Sequence, residues 1–114
     1  MKVNQLKEWK ELSYRELMVA FLRLYISTKE VSTFDLQKIV NKAFQVFPED
    51  KIVTLTRVDQ VHMCELWHGP TVAFKDLGMQ ILVQFLQYFL EKRSKKLHLL
   101  VGTSGDTGSA AIEA

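Results

Sequence analysis

The chain has a single cysteine, Cys64, so no internal disulfide can form. That suits a reducing compartment. Glycine is missing from the first 68 residues, and all five glycines fall at or after Gly69. The early backbone therefore needs no left-handed angle, and the positions open to one lie in the second half. Neither sign of charge dominates: 15 basic and 13 acidic side chains leave +2. Residues 1–60 carry 10 basic and 8 acidic groups and residues 61–114 carry 5 of each, so neither half is basic and composition gives no reason to expect nucleic acid or an anionic membrane as the partner. Long apolar runs are lacking too. The richest stretch, 78–90, is broken by Gln80, Gln84 and Gln87 and is too short to span a bilayer. The opening MKVNQLKEWKEL has no apolar core of a secretory signal, and a cytoplasmic location is the expectation. His62, His68 and His98 do not stand at metal-ligand spacings, and no metal is expected. What is present, 47% apolar and 25% charged residues over 114 positions, is the composition of one folded domain and not of a disordered chain.

The first half reads as helical. Ser13 and Glu16 stand at capping-box spacing, and Leu17, Met18, Phe21, Leu24 and Tyr25 follow on one face. A second helix starts at Ser32 or Thr33 and carries Leu36, Ile39, Val40, Ala43, Phe44 and Phe47 at i, i+3, i+4 spacing, until Pro48 stops it. After Asp50 the pattern changes. Two strands are predicted, 52–58 and 61–67, with Asp59-Gln60 as a tight turn. His68-Gly69-Pro70 ends the second. A helix over about 75–93 is apolar on most of its circumference and is expected to be buried on most sides. Residues 97–101 read as a buried parallel strand, 102–108 as a turn-rich loop, and 109–114 as the start of another helix. The expected division is a helical segment, 1–50, and the start of an α/β domain, 51–114. The strand–helix–strand–helix order implies a parallel sheet with further strands, so the expectation is the front portion of a larger protein. Left uncovered, the 75–93 helix would invite self-association.

Two constellations carry chemistry. In HGPTVAFKD, Lys75 lies between Phe74 and Leu77 at the start of the long helix. Desolvation and the positive helix N-terminus both disfavour an ammonium there, which would suit a Schiff-base nucleophile. The plainer reading is an exposed helix-start lysine paired with Asp76. In GTSGDTGS, three glycines and several hydroxyls stand between an apolar strand and a helix. Converging backbone N–H groups at a helix start would cradle a carboxylate or phosphate; the plainer reading is a generic turn. Both constellations fall at strand-to-helix junctions on one sheet edge, a geometry suited to a pyridoxal-phosphate site.

ELWHGPTVAFKD (65–76) and VGTSGDTGSAA (101–111) closely resemble the signature segments of threonine synthase and the threonine synthase-like proteins, pyridoxal-phosphate enzymes of the tryptophan-synthase-β type. FLQYFLEKR (85–93) and LSYREL (12–17) match more loosely. The resemblance implies an α/β fold type II enzyme, of which this chain would be an incomplete portion. It implies that Lys75 forms the covalent link to pyridoxal phosphate and that Phe74, Asp76 and Asp106 surround the coenzyme. Ser104, Gly105 and Thr107, with His68, would face the substrate. Asp106 stands where many relatives in the wider fold have Asn, and Trp67 where many microbial threonine synthases have Phe. The latter leans toward the threonine synthase-like branch. The family's Ser-Thr-Arg-Gly opening motif and the glycine-rich loop for the coenzyme phosphate are absent from these residues.

The implied activity is phosphate elimination from an O-phospho amino acid to a keto acid and ammonia. Threonine synthesis is the alternative, and a catalytically inactive binding fragment is an alternative of another class. The 114 residues alone are expected to be inactive. Asp106-Thr107-Gly108-Ser109 also matches the aspartic-protease tetrapeptide, although that chemistry needs strands and a flap around it. Cys64 reads as a small core residue, His62 and His98 as ordinary strand histidines, and the run 91–96 as a solvated helix end.

Overall fold

The computed structural model describes residues 3–48 and 51–114. The order is α1 (Val3–Trp9), α2 (Tyr14–Leu22), α3 (Thr33–Phe44), β1 (Thr54–Val58), β2 (Val61–Glu65), α4 (Lys75–Lys92) and α5 (Asp106–Glu113). The expected division at residue 50 falls on Glu49 and Asp50, outside the described residues.

Local chemistry sets the helix ends. Ser13 and Glu16 form the expected reciprocal capping box at the start of α2. These Ser13 hydrogen bonds hold the Glu16 carboxyl below its ordinary pKa, the side-chain bond contributing most. The apolar stripe expected to continue through Leu24 and Tyr25 does not. The helix ends at Leu22 because the Arg23 guanidinium turns back to the carbonyls of Ile26 and Val31, at 3.2 and 2.9 Å. Tyr14, Met18, Val19 and Leu22 pack inward, while Phe21 and Tyr25 lie on the outside against each other. Ser32 caps α3 by accepting from the Asp35 amide. The expected stripe from Leu36 to Phe47 is buried in full. Pro48 is not what ends α3, however. The helix stops at Phe44, whose carbonyl accepts from Arg15 at 3.0 Å, a cation on the negative helix end.

The strands pair as expected of a hairpin, antiparallel with Val58 opposite Val61 and Thr54 opposite Glu65. Asp59 takes φ 56° in the two-residue turn, an angle that Asp tolerates better than most residues. Residues 97–101 depart from expectation. They form no strand, and the only sheet among the described residues is β1–β2. A parallel strand needs a neighbour for its N–H and C=O groups; none is present, and Leu97, Leu99, Leu100 and Val101 are exposed.

Helix α4 is the centre of the packing. Leu77, Ile81, Phe85 and Tyr88 lie against the α3 core, and the buried Gln80 donates to the Glu113 carbonyl of α5 at 3.0 Å. Its third side is not buried as expected. Met79, Leu82, Val83 and Leu86 line an open groove of about 550 Å³ with Leu99, Val101 and Ile112.

The loop before α4 is latched onto its first turn. Asp76 is fully buried, and its two oxygens accept from the Thr71 amide at 2.9 Å and the Thr71 hydroxyl at 2.7 Å. Gly69 is buried against the same carboxylate, and a Cβ there would lie 2.8 Å from Asp76 Cγ. Between these contacts Val72 is held at φ 61°, a strained angle for a β-branched residue. Gly69→Ala must push the loop off the carboxylate and is expected to cost about 1–3 kcal/mol. Asp76→Ala, which strands two donors, should cost a similar amount, on the order of 1–3 kcal/mol. Urea midpoints check both, and a wild-type midpoint for Gly69→Ala would show that the close approach is not real.

Candidate functional site

The latch fixes where Lys75 stands. Lys75 is the first residue of α4, and Asp106 is the first residue of α5. The two meet: Lys75 Nζ lies 3.5 Å from Asp106 Oδ2 and 4.7 Å from the Phe74 ring centroid. The two constellations of the sequence are thus brought together, though not along the edge of a parallel sheet. Lys75 is half-buried, its side chain 30% exposed, while the Asp106 side chain is 71% exposed. An ion pair this open to water adds little stability, on the order of 0–1 kcal/mol. What it shows is proximity.

The plain pairing of Lys75 with Asp76 is excluded by geometry. Asp76 is buried and spends both oxygens on Thr71. Asp76 holds the loop that precedes Lys75, through Thr71.

Helix α5 starts at Asp106, three residues earlier than expected. The Thr103 hydroxyl accepts from the Gly105 and Gly108 amides at 3.2 and 3.3 Å, and Gly105 takes φ 144°, an angle that favours glycine. Ser104 and Gly105 are exposed on this turn and Thr107 is half-buried. Among the described residues, the Asp106 and Thr107 amides make no backbone or side-chain hydrogen bond. They are the free N–H groups that a helix start offers to an anion. Because Asp106-Thr107-Gly108-Ser109 opens a helix, it lacks the strand setting of the aspartic-protease reading.

Beside Lys75 lies an open cleft of about 470 Å³, lined by Trp67, Phe74, Thr71, Cys64 and Asp106 among others. Its size is that of a small-ligand site. Two aromatic side chains and a helix N-terminus in the cleft wall, with the Lys75 amine 3.5 Å from Asp106 of that wall, fit an aromatic aldehyde with acidic substituents, as pyridoxal phosphate is. Lys75 would hold the aldehyde, and Phe74 and Trp67 would flank the ring.

His68 stands elsewhere. It is not part of the cleft lining and is held against the hairpin, with Nε2 2.9 Å from Glu65 Oε2 and 3.1 Å from Thr54 Oγ1. Cys64, expected in the core, is exposed in the cleft. Burial, and secondarily the nearby Cys64, raises the Tyr14 phenol above its ordinary pKa. Sequence reasoning also missed Thr54, Thr56, Glu65 and Thr71. The first three were recoverable, since counting back from the Asp59-Gln60 turn sets Thr54 opposite Glu65. His62 is exposed on β2 and His98 is exposed outside any strand.

Comparison with known proteins bears on this arrangement. Residues 1–44 match the family model described as threonine synthase N terminus. Threonine synthase-like 2 of Mus musculus is 46% identical over 109 residues, covering 95% of this chain and 23% of the relative. Threonine synthase of Saccharomyces cerevisiae is 35% identical over 118 residues, covering 92% and 23%. A pyridoxal-phosphate-bound threonine synthase from Brucella melitensis superposes with a TM-score of 0.91 at 35% identity, over 99% of this chain and 24% of its own. The chain thus spans about a quarter of the length of the relatives it matches. The match runs through both motifs and through the helices before them, and by sequence and fold this chain is similar to the N-terminal quarter of the threonine synthases, fold type II enzymes.

Proposed function

We propose that the protein carrying these residues is a pyridoxal-phosphate-dependent phospho-lyase, which eliminates phosphate from an O-phospho amino acid to give a keto acid and ammonia. The observation that carries this reading is the approach of Lys75 to Asp106, which itself lines an aromatic cleft. Such a site joins a nucleophilic amine to a helix start with free amides. The similarity to threonine synthase-like 2 supports the lyase branch, as does Trp67 in the cleft wall. The similarity to yeast and Brucella threonine synthases supports a second reading, in which water adds after phosphate leaves and threonine is the product.

Bound coenzyme would supply an aldehyde to Lys75 and an electron sink for charge developing on the substrate α-carbon. Lys75 Nζ, at the start of α4 and 3.5 Å from Asp106 Oδ2, is the amine that would bond that aldehyde. The Lys75 amine would be the group placed to take up the substrate α-proton. Ser104, Gly105 and Thr107, with the free amides of the α5 start, would hold the substrate carboxylate. Phe74 and Trp67 would cover the ring faces and exclude water. The protein would act in the cytoplasm, and the 114 residues by themselves would release no phosphate.

Lys75→Ala is expected to abolish both the visible absorption band of lysine-bound coenzyme and phosphate release; a band that survives would transfer the role to another lysine. Ser104→Ala and Thr107→Ala should leave that band intact and weaken substrate binding by about 10- to 150-fold, the loss of one hydrogen bond to a charged group. Substrate titrations of the two variants check this, and wild-type affinity in both would reduce the loop to a structural turn.

A further inference from the structure

A second polar cluster lies at the other end of the loop that delivers Lys75, and the reading above leaves it without a role. Glu65 is the last residue of β2, directly across the ladder from Thr54. Its Oε2 accepts from Thr54 Oγ1 at 2.9 Å, its Oε1 accepts from Thr56 Oγ1, and His68 Nε2 lies 2.9 Å from Oε2. The side chains of Glu65 and His68 are only 18% and 17% exposed. Hydrogen bonds from Thr56 first, then Thr54, and more weakly from His68 hold the Glu65 carboxyl below its ordinary range.

The chemistry of the partners settles the imidazole. An ionised carboxylate only accepts, so the proton between Glu65 and His68 sits on Nε2. Thr54 spends its single hydroxyl hydrogen on Glu65, so at 3.1 Å its oxygen can only share the one Nε2–H, which points to Glu65 at the shorter distance. In neutral His68 the Nδ1 lone pair is then left free, and among the described residues Nδ1 has no hydrogen-bond partner.

The loop between Glu65 and Lys75 is consequently pinned twice, by Glu65 through His68 at one end and by Asp76 through Thr71 at the other. The cleft wall at Trp67 and Phe74 lies on this pinned stretch, and Trp67 packs beside the His68 ring at 5.9 Å. We propose that Glu65, with Thr54 and Thr56, is a positioning residue for the coenzyme cleft: it fixes His68 as the Nε2–H tautomer and thereby ties the Trp67 wall to the hairpin. This rests on the cleft being the coenzyme site. Lys75 itself, placed by Asp76, stays where it is when Glu65 is lost.

The test uses nitrogen-15 NMR of the histidine rings in the coenzyme-free chain, together with coenzyme titration of wild type, Glu65→Gln and Thr56→Val. The wild-type His68 ring should show the proton on Nε2. Glu65→Gln replaces one acceptor oxygen by a donor, so His68 should exchange between tautomers. Coenzyme affinity should fall about tenfold, the scale of one charge-assisted hydrogen bond, while the visible band at saturation keeps its wild-type position. Thr56→Val, a milder change that leaves His68 and its carboxylate in contact, should move affinity in the same direction by less and keeps the question open to measurement if Glu65→Gln does not fold. Wild-type coenzyme affinity in both variants would overturn the proposal, as would an Nδ1–H tautomer in the wild-type chain. Failure of the cleft reading shows separately, as a Lys75→Ala protein that keeps its band while the His68 tautomer is as proposed.

Discussion

One buried carboxylate organises this molecule. Asp76 sits in the first turn of α4 with no exposure to water, and the Thr71 amide and hydroxyl meet its two oxygens. A polar group removed from water persists only where it is hydrogen-bonded. The chain therefore has to bring Thr71 back over the helix start and keep Gly69 free of a side chain. Everything about the site follows from that folded-back loop. It sets Lys75 at the helix start within 3.5 Å of Asp106, and it places Phe74 and Trp67 along the cleft wall. The acidic residue next to Lys75 thus spends its carboxylate on Thr71 and not on the amine.

The rest of the fold supports that loop from two sides. Below it, α3 and α2 form an apolar base around Phe44, Leu36 and Val40, against which Leu77 and Ile81 of α4 pack. Above it, the hairpin contributes little apolar burial, since four of five residues in each strand are exposed. Its contribution is polar: Thr54, Thr56 and Glu65 form a small network at its open end. The far side of α4 remains an apolar groove, and residues 97–101 lie beside it with their backbone unpaired.

Much of this was legible in the residues because the signals are local. Ser13 with Glu16, Ser32, and the stripe from Leu36 to Phe47 specify their helices from neighbours along the chain. The Asp59-Gln60 turn sets the hairpin register. The elements misread depend on distant partners. The end of α2 turns on Arg23 reaching Val31, and the end of α3 on Arg15 reaching Phe44. Residues 97–101 have strand composition, but a strand is a property of a pair. Within the site, Lys75 and Asp106 stood out from their motifs, whereas the burial of Asp76 and the withdrawal of His68 to the hairpin did not. Both are decided by which oxygen or nitrogen lies nearest in three dimensions, and sequence spacing alone does not rank those choices.

The central claim is that the chain presents one lysine, Lys75, to an aldehyde-bearing coenzyme. Borohydride reduction of the protein loaded with pyridoxal phosphate, followed by proteolysis and mass mapping, addresses it directly. The account predicts that the reduced coenzyme is found covalently on the peptide containing Lys75 and, at one equivalent, on no other. Labelling spread over the exposed lysines of 91–96, or concentrated on any lysine but Lys75, would contradict it.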